Sequence, residues 1–120
     1  MYIYSFEKLD VWKEAKELAK EIYKVTSKFP ETEKFGLTHQ LRRAVVSICS
    51  NIAEGSARKT HRDKAHFTTI SFGSSVEVLN QLILAKEFDY LSIKEYEKCR
   101  SMIEGITNKL NALRKHQLNK

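Results

Sequence analysis

The side chains best suited to chemistry in this chain are clustered Lys and Arg residues, and the chemistry they suit is binding of a polyanion. The 120 residues include 21 Lys and Arg against 15 Asp and Glu, a formal net charge of +6. Residues 39–66 hold six basic against two acidic residues and residues 109–120 hold four against none, while the other segments are neutral or acidic. The predicted phosphate ligands in these two patches are Arg42, Arg43, Arg58, Lys59, Arg62, Lys64, Lys109, Arg114 and Lys115, and Lys120 also lies in the second patch.

Phosphate is the favoured ligand for a physical reason. The guanidinium of Arg is a planar fork of hydrogen-bond donors, and a helix N-terminus adds free N–H groups and a positive dipole end. Residues 58–64 are expected to flank such a helix start. Because bound phosphates release counterions, the affinity should fall with salt and depend little on base sequence. A basic surface that serves only solubility is the alternative interpretation.

Motifs for catalysis or metal binding are not found in the sequence. A di-iron bundle requires Glu-x-x-His pairs on two helices, whereas only Asp63-x-x-His66 has a related spacing. His61 and His66 are five residues apart, which does not direct both imidazoles of one helix to a metal. The spacing of Glu54 and Glu77 does not support a catalytic carboxylate pair over a salt bridge or a cap. With no nucleophile, phosphate-loop or dinucleotide motif either, we expect a non-enzymatic protein without a metal or cofactor.

Cysteine usage and hydropathy bound the cellular setting. Cys49 and Cys99 are isolated in helical patterns, which favours small buried hydrophobes over a disulfide or a redox pair. No apolar run approaches the roughly 20 residues of a membrane span, and the N-terminus does not resemble a secretory signal. We therefore expect a cytoplasmic protein that makes no contact with membranes.

The elements that must position the basic residues are helices. Four Gly and one Pro leave few sharp turns, and the apolar residues recur at helical spacing. The first helix is predicted to start at Asp10 as its cap and to be stopped by Pro30. The second is predicted from Glu33 or Leu37 to Glu54, with Gly55 as a left-handed stop. Its apolar stripe is wide, which indicates either a subunit contact or a central position in a bundle.

Two capping-box patterns, Thr60 with Asp63 and Ser92 with Glu95, predict the starts of the third and fourth helices. Gly73 in the third helix predicts a kink or, preferably, a close approach of a neighbouring helix. Short connections make neighbouring helices antiparallel, so the sequence predicts one all-α domain over residues 1–120, an up-down-up-down four-helix bundle. The side chains expected in the core from the last two helices are Phe67, Ile70, Phe72, Val76, Leu79, Ile83, Leu84, Tyr96, Cys99, Ile103, Ile106, Leu110 and Leu113.

Several short motifs extend over nearly the whole chain. They are Phe6, Leu9, Trp12, Ala15, Ile22-Tyr23, Phe29-Pro30, Phe35-Gly36-Leu37, Gln40-Leu41-Arg42-Arg43-Ala44, Ser47-Ile48, Asn51-Ile52-Ala53-Glu54-Gly55 and Gly73-Ser74-Ser75-Val76-Glu77. With these motifs the chain resembles the four-helix bundle proteins encoded in intervening sequences of bacterial 23S ribosomal RNA genes, also labelled S23 ribosomal proteins. It departs from that family at Cys49, where the family usually carries proline, so the resemblance implies that a kink there is absent.

The resemblance implies a ring-like homopentamer and kinship with the accessory variability determinant of diversity-generating retroelements, a basic pentamer that binds nucleic acid and a reverse transcriptase. The leading hypothesis is a non-enzymatic oligomer that binds nucleic acid, with RNA favoured over DNA. The alternative is a protein-interaction scaffold or an accessory subunit of a nucleic-acid enzyme such as a reverse transcriptase. Tyr2, Tyr4 and Phe6 are candidates for a subunit contact or for no role.

Overall fold

A computed structural model describes residues 1–119, so Lys120 of the second basic patch lies outside the described residues. The chain forms four helices: α1 (Asp10–Thr26), α2 (Leu37–Ser56), α3 (His61–Glu87) and α4 (Ile93–Leu118). Short 3-10 turns at Ser5–Lys8 and Glu31–Glu33 precede α1 and α2, and residues 1–119 contain no strand. The predicted all-α class is confirmed.

Each helix packs against two neighbours, in the cyclic order α1, α2, α3, α4, and no diagonal pair is in contact within the described part of the chain. At 1.5 Å per residue α3 measures about 40 Å, close to the longest dimension of 45 Å, so it runs the length of the molecule. This arrangement is the predicted four-helix bundle. Within residues 1–119, no helix is both long enough and apolar enough to cross a bilayer. The fully buried side chains at the centre of the bundle include Leu18, Ile22, Leu41, Ile48, Leu82, Ile103, Ile106 and Leu110.

Local hydrogen bonds explain where the helices begin. The N–H of Asp63 donates to Oγ1 of Thr60 at 3.1 Å, and the N–H of Glu95 donates to Oγ of Ser92 at 3.0 Å. Both predicted caps are confirmed. Asp10 is not a cap, because Leu9 occupies the N-cap position and Asp10 is the first helical residue. There its carboxylate still faces the positive end of the helix dipole.

Gly55 and Gly73, two of the glycines inside helices, do not have the roles predicted for them. Gly55 is helical and buried rather than a left-handed stop, and α2 continues past it to Ser56. A Cβ on Gly55 would lie 2.9 Å from Cβ of Phe67, so this is where α2 and α3 approach closely. Gly73 has open space around it, with no atom within 4 Å of a built Cβ, and α3 runs unbroken through it. The predicted close approach at Gly73 is therefore wrong.

The predicted buried face of α3 is wrong at four of its seven residues, whereas Phe67, Phe72 and Leu79 are half-buried. Ile70, Val76, Ile83 and Leu84 are each more than a third exposed. Apart from Val78 and Leu82, the buried positions carry small or polar side chains. Small side chains allow the backbones of α2 and α3 to come together, and the hydroxyls find backbone partners, as Ser71 Oγ does by donating to Ile48 O at 3.1 Å. The face predicted for α4 is confirmed, apart from a half-buried Leu113. The buried residues of α3 are Ala65, Thr68, Ser71, Ser75, Val78, Gln81, Leu82 and Ala85.

Candidate nucleic-acid interface

One end of the bundle collects most of the predicted phosphate ligands. The C-terminus of α2, the N-terminus of α3, the C-terminus of α4 and the N-terminal segment all meet there. We call residues 1–10, 54–69 and 109–119 the basic end. It holds eight Lys and Arg against four Asp and Glu, together with three His residues. Antiparallel packing thus merges two basic patches that are about fifty residues apart in sequence.

The N-terminus of α3 lies at the centre of this end. Its first turn carries His61, Arg62 and Lys64, with Asp63 as the acidic residue. Positive charge near a helix N-terminus is unfavourable, since the helix dipole is positive there and the first N–H groups have no helical acceptors. An anion bound at this point would offset both the charge repulsion and the unsatisfied donors.

Three predicted ligands are exposed and unengaged. Lys59, Arg62 and Lys115 are solvent-exposed, and their side chains make no hydrogen bond or ion pair within residues 1–119. Arg58 differs, because its guanidinium stacks 4.4 Å from the ring centre of Phe67 and lies 3.8 Å from a carboxylate oxygen of Glu54. Stacking orients the guanidinium plane while leaving its edge open to a phosphate.

Three further predicted ligands also connect helices. Lys64 Nζ donates to Ser56 O at 3.2 Å, at the C-terminus of α2. Arg114 Nε donates to Thr69 Oγ1 at 2.9 Å and so joins α4 to α3. Lys109 Nζ lies 2.5 Å from a carboxylate oxygen of Glu14, and this hydrogen bond raises the pKa of Lys109. These cations have a structural partner in addition to any ligand.

Arg42 and Arg43 are not brought to the basic end. Arg42 lies fourteen residues before Ser56, the last residue of α2, which is about 21 Å along the helix axis. Arg42 Nε donates to Thr26 Oγ1 at 2.9 Å, and its guanidinium lies 4.6 Å from the ring centre of Tyr23. Arg42 therefore connects α2 to the C-terminal turn of α1. Arg43 is exposed, and a phosphate role for either residue stays a prediction.

The basic end also contains a cavity of about 290 Å³ that the sequence did not predict. It opens between the N-terminal segment and the ends of α2, α3 and α4, so its walls come from four separate parts of the sequence. No single pattern in the sequence marks it. Its apolar lining consists of Leu9, Ile52 and Leu113, and its polar lining of Ser5, Ser56, His61, Lys64, Thr68, His116 and Gln117.

A column of aromatic rings projects from the same end. The rings of Tyr2 and Tyr4 stack with centres 4.9 Å apart, and the ring of Phe6 meets Trp12 edge to face at 5.1 Å. Tyr2 and Tyr4 are 70% and 62% exposed, so the outer part of the column is open to a partner. The amine of Lys16 lies 5.1 Å from the ring centre of Trp12. From the sequence, Tyr2, Tyr4 and Phe6 were candidates for a subunit contact or for no role, and both alternatives stay open.

The acidic residues and cysteines that the sequence raised for catalysis or metal binding lie in the following surroundings. Within residues 1–119, no group of three or more His, Cys, Asp and Glu side chains lies close enough together to hold a metal ion. Glu54 pairs with Arg58, whereas Glu77 accepts a hydrogen bond from Gln81 at 3.2 Å. Cys99 is buried, and desolvation together with the charge of Glu21 raises its pKa to about 11. Cys49 is half-buried, with its pKa raised by desolvation.

Comparison with known proteins identifies the family. A family model described as 23S rRNA-intervening sequence protein matches residues 7–112. The chain belongs to this family. A solved structure from Bacteroides thetaiotaomicron, described as a protein of unknown function from the S23 ribosomal protein family, superimposes with a TM-score of 0.79 at 24% identity and covers 88% of this chain and 98% of its own. This likeness supports the fold of the intervening-sequence family. Among curated proteins, no sequence matches the chain.

Proposed function

We propose that this protein is a non-enzymatic, oligomeric nucleic-acid-binding bundle whose basic end contacts the phosphates of RNA. The observation that carries the proposal is the concentration of exposed cations around the N-terminus of α3. Lys59, Arg62 and Lys115 have no internal partner within residues 1–119, so their charge is available to a ligand. Release of counterions from several phosphates would supply much of the affinity.

RNA is favoured over DNA by the family to which the chain belongs, which is named for an intervening sequence of 23S rRNA. A compact cationic end presents no helix suited to reading a major groove, and RNA is recognised largely through shape, phosphates and unpaired nucleotides. An RNA ligand also implies a cytoplasmic location. No reaction is assigned to the protein.

The oligomer is supported by the uncovered face of α3. Ile70, Val76, Ile83 and Leu84 are between 36% and 49% exposed, and Phe88 is 55% exposed. Apolar side chains repeated along one long helix of a small protein mark an interaction surface. We assign this face to a second copy of the chain, and a ring of five copies is the assembly that the family resemblance favours.

Binding is tested by fluorescence anisotropy with a labelled RNA hairpin, using the variant Lys59→Glu/Arg62→Glu. Both residues are exposed and engage no other side chain within residues 1–119, so the bundle should keep its helicity. The expected result is a loss of affinity of at least tenfold at low salt, because two phosphate contacts become repulsive.

The matched control is Lys24→Glu/Lys94→Glu, which makes the same change of charge at exposed residues of the other end of the bundle. This control should bind RNA within about twofold of wild type, after allowance for its lower net charge. Equal losses in the two double variants would show that only net charge matters, and would overturn the assignment of the basic end. No binding by wild type at low salt would overturn the function itself.

The assembly is tested by light scattering on the variant Val76→Glu/Ile83→Glu. Charged side chains on the apolar face of α3 should reduce the molar mass to that of one chain, 14.0 kDa. Ile93→Glu is the control, since Ile93 is 68% exposed but lies in the first turn of α4, where a carboxylate suits the helix dipole. An unchanged mass for the double variant would exclude this face as the subunit contact.

The same apolar face favours the second candidate function, a protein-interaction scaffold. A wild-type protein that is monomeric in light scattering would leave the face of α3 uncovered and available to a partner such as a polymerase. Retention of that partner after nuclease treatment and at high salt would support the scaffold, because contacts through phosphates are lost under those conditions.

A further inference from the structure

We propose that the cavity at the basic end is a pocket for a single nucleotide, either an unpaired nucleotide of an RNA strand or a free nucleoside 5′-monophosphate. This inference rests on the proposed function and deepens it, because it assigns one nucleotide of the ligand to a defined site. The cavity holds the base and ribose, and its cationic rim holds the phosphate.

The size and lining of the cavity suit one nucleotide. Its volume of about 290 Å³ is just below the range of roughly 300–1,000 Å³ that pockets for drug-sized ligands occupy, as expected of a site for one small ligand. A duplex is far too large to enter. Leu9, Ile52 and Leu113 provide apolar walls on which the faces of a base can rest, and Ile52 is 3% exposed.

A buried amide in the wall is suited to read the edge of a base. Gln117 is 9% exposed and lines the cavity. The hydroxyl of Thr68 donates to Gln117 Oε1 at 2.8 Å, and Gln117 Nε2 donates no hydrogen bond within residues 1–119. In the described chain, Gln117 Nε2 is not among the fully buried side-chain atoms that lack a partner, so it is open to the cavity that Gln117 lines. An acceptor atom on the edge of a base could receive a hydrogen bond from Gln117 Nε2. Side-chain amides recognise bases in this way in other nucleic-acid-binding proteins.

The phosphate side of the pocket carries one lysine and two imidazoles, all of which can donate hydrogen bonds to a phosphate. His61 and Lys64 line the cavity from the first turn of α3, and His116 lines it from the last turn of α4. Lys64 Nζ makes one hydrogen bond, to Ser56 O, which leaves two of its three donors for a ligand. Apolar walls, a buried amide and an adjacent anion site together match a nucleotide better than a simple anion, which needs no apolar wall.

The test uses NMR of the histidine ring protons on the full chain, because two of its four His residues line the cavity. The ligands are AMP and UMP, with inorganic phosphate, adenosine and benzoate as comparison probes. A nucleoside monophosphate should shift the signals of His61 and His116 saturably and leave His39 unchanged. Phosphate, adenosine and benzoate should each bind at least tenfold more weakly, since each lacks part of the recognised structure. Equal binding of phosphate or benzoate would overturn the nucleotide assignment.

The variant Gln117→Met removes the amide but keeps an unbranched side chain, and it should weaken AMP binding about five- to tenfold through loss of one buried hydrogen bond. Asn108→Met is the control, as it removes an exposed amide from the same helix. A second variant, Leu113→Phe, narrows the cavity with an apolar side chain and should weaken AMP binding by at least as much. Unchanged AMP affinity in both pocket variants would overturn the proposal.

A further experiment with RNA shows whether the pocket binds a nucleotide of an RNA strand or a free nucleotide. It also tests the pocket separately from the proposed RNA-binding function. A hairpin with an unpaired 3′ nucleotide is compared with the blunt hairpin by anisotropy, for wild type and Gln117→Met. Tighter binding of the overhang that disappears in the variant would identify the strand as the source, whereas AMP binding with no preference for the overhang would identify the free nucleotide. RNA binding with no nucleotide binding and no overhang preference would reject the pocket and leave the proposed function standing. AMP binding without RNA binding would reject the proposed RNA-binding function and leave the nucleotide pocket standing.

Discussion

The two ends of the bundle use their polar side chains differently. At the end opposite the basic end, Tyr90 donates its hydroxyl to Glu33 Oε2 at 2.9 Å, while Glu33 Oε1 accepts from the N–H of Leu37 at 3.0 Å. Lys28 pairs with Glu95, and this hydrogen bond lowers the pKa of Glu95. Polar groups there are engaged with one another. At the basic end the cations outnumber the acidic residues and several have no partner in the described chain.

The difference follows from what each end must connect. The opposite end contains two interhelical connections, residues 27–36 and 88–92. Polar contacts are needed there to hold both connections against the helices. The basic end holds one short connection, residues 57–60, and the two ends of the chain. Fewer polar groups are needed there to position loops, so cations remain for a ligand. The two ends thus differ in internal hydrogen bonding at one and uncompensated charge at the other, and this difference supports the assignment of the proposed ligand to the basic end.

The largest expected effect concerns the closest helix contact of the basic end. Gly55→Ala should destabilise the protein by about 1–2 kcal/mol, because overpacking against Phe67 exceeds the gain in helix propensity. Gly73→Ala should stabilise it by about 0.5–1 kcal/mol, since the new methyl group meets open space. Both free energies come from urea unfolding followed by circular dichroism. Destabilisation by both substitutions would contradict the assigned close approach.

The next effect separates two neighbouring arginines. Arg42→Ala should cost about 1 kcal/mol of stability, through loss of its hydrogen bond to Thr26 and its stacking on Tyr23. Arg43→Ala should leave stability unchanged within about 0.5 kcal/mol, as an exposed side chain without a partner does. The measurement is again urea unfolding. A lower RNA affinity of the Arg43→Ala variant would show that the interface extends beyond the basic end along α2.

A smaller effect is a pH dependence at the opposite end. The N–H of Leu37 and the hydroxyl of Tyr90 lower the pKa of Glu33. A lowered folded-state pKa adds stability above the unfolded value of about 4.3, and that stability is lost as pH falls through the folded pKa. The gap in Tm between wild type and Glu33→Gln should therefore narrow from pH 6 to pH 3. Glu31→Gln is the control, since the side chain of Glu31 is exposed, and an equal narrowing there would contradict the role of Glu33.

The smallest expected effect is a difference in alkylation rate between the two cysteines. Burial raises the pKa of Cys99 to about 11, so at pH 8 almost none of it is thiolate and it should resist iodoacetamide until the protein unfolds. Cys49 is half-buried and should react first. Mass spectrometry of timed alkylation, with Cys49→Ser as the control, measures the two rates. Rapid modification of Cys99 in the folded protein would show that the core around α4 opens.

Sequence reasoning succeeded where a pattern is local. The apolar seam of α4 repeats every three or four residues and is buried as predicted, and the Thr60 and Ser92 caps form the expected hydrogen bonds. It failed on α3, which carries apolar residues on several sides and therefore has no unique buried face in sequence. It also assigned close packing to Gly73, because a glycine in a helix does not reveal whether a neighbour is present.

The sequence by itself determined four helices, most of their ends and an excess of positive charge in two patches, because these depend on residues within a few turns of one another. The tertiary structure alone decided which face of α3 is uncovered, that Arg42 serves α1 while Lys59 and Arg62 stay exposed, and that Ser5, Ser56, Lys64 and Gln117 share one cavity. Those outcomes depend on how closely α2 and α3 pack and on the antiparallel return of α4, which places residues distant in sequence at the same end of the bundle.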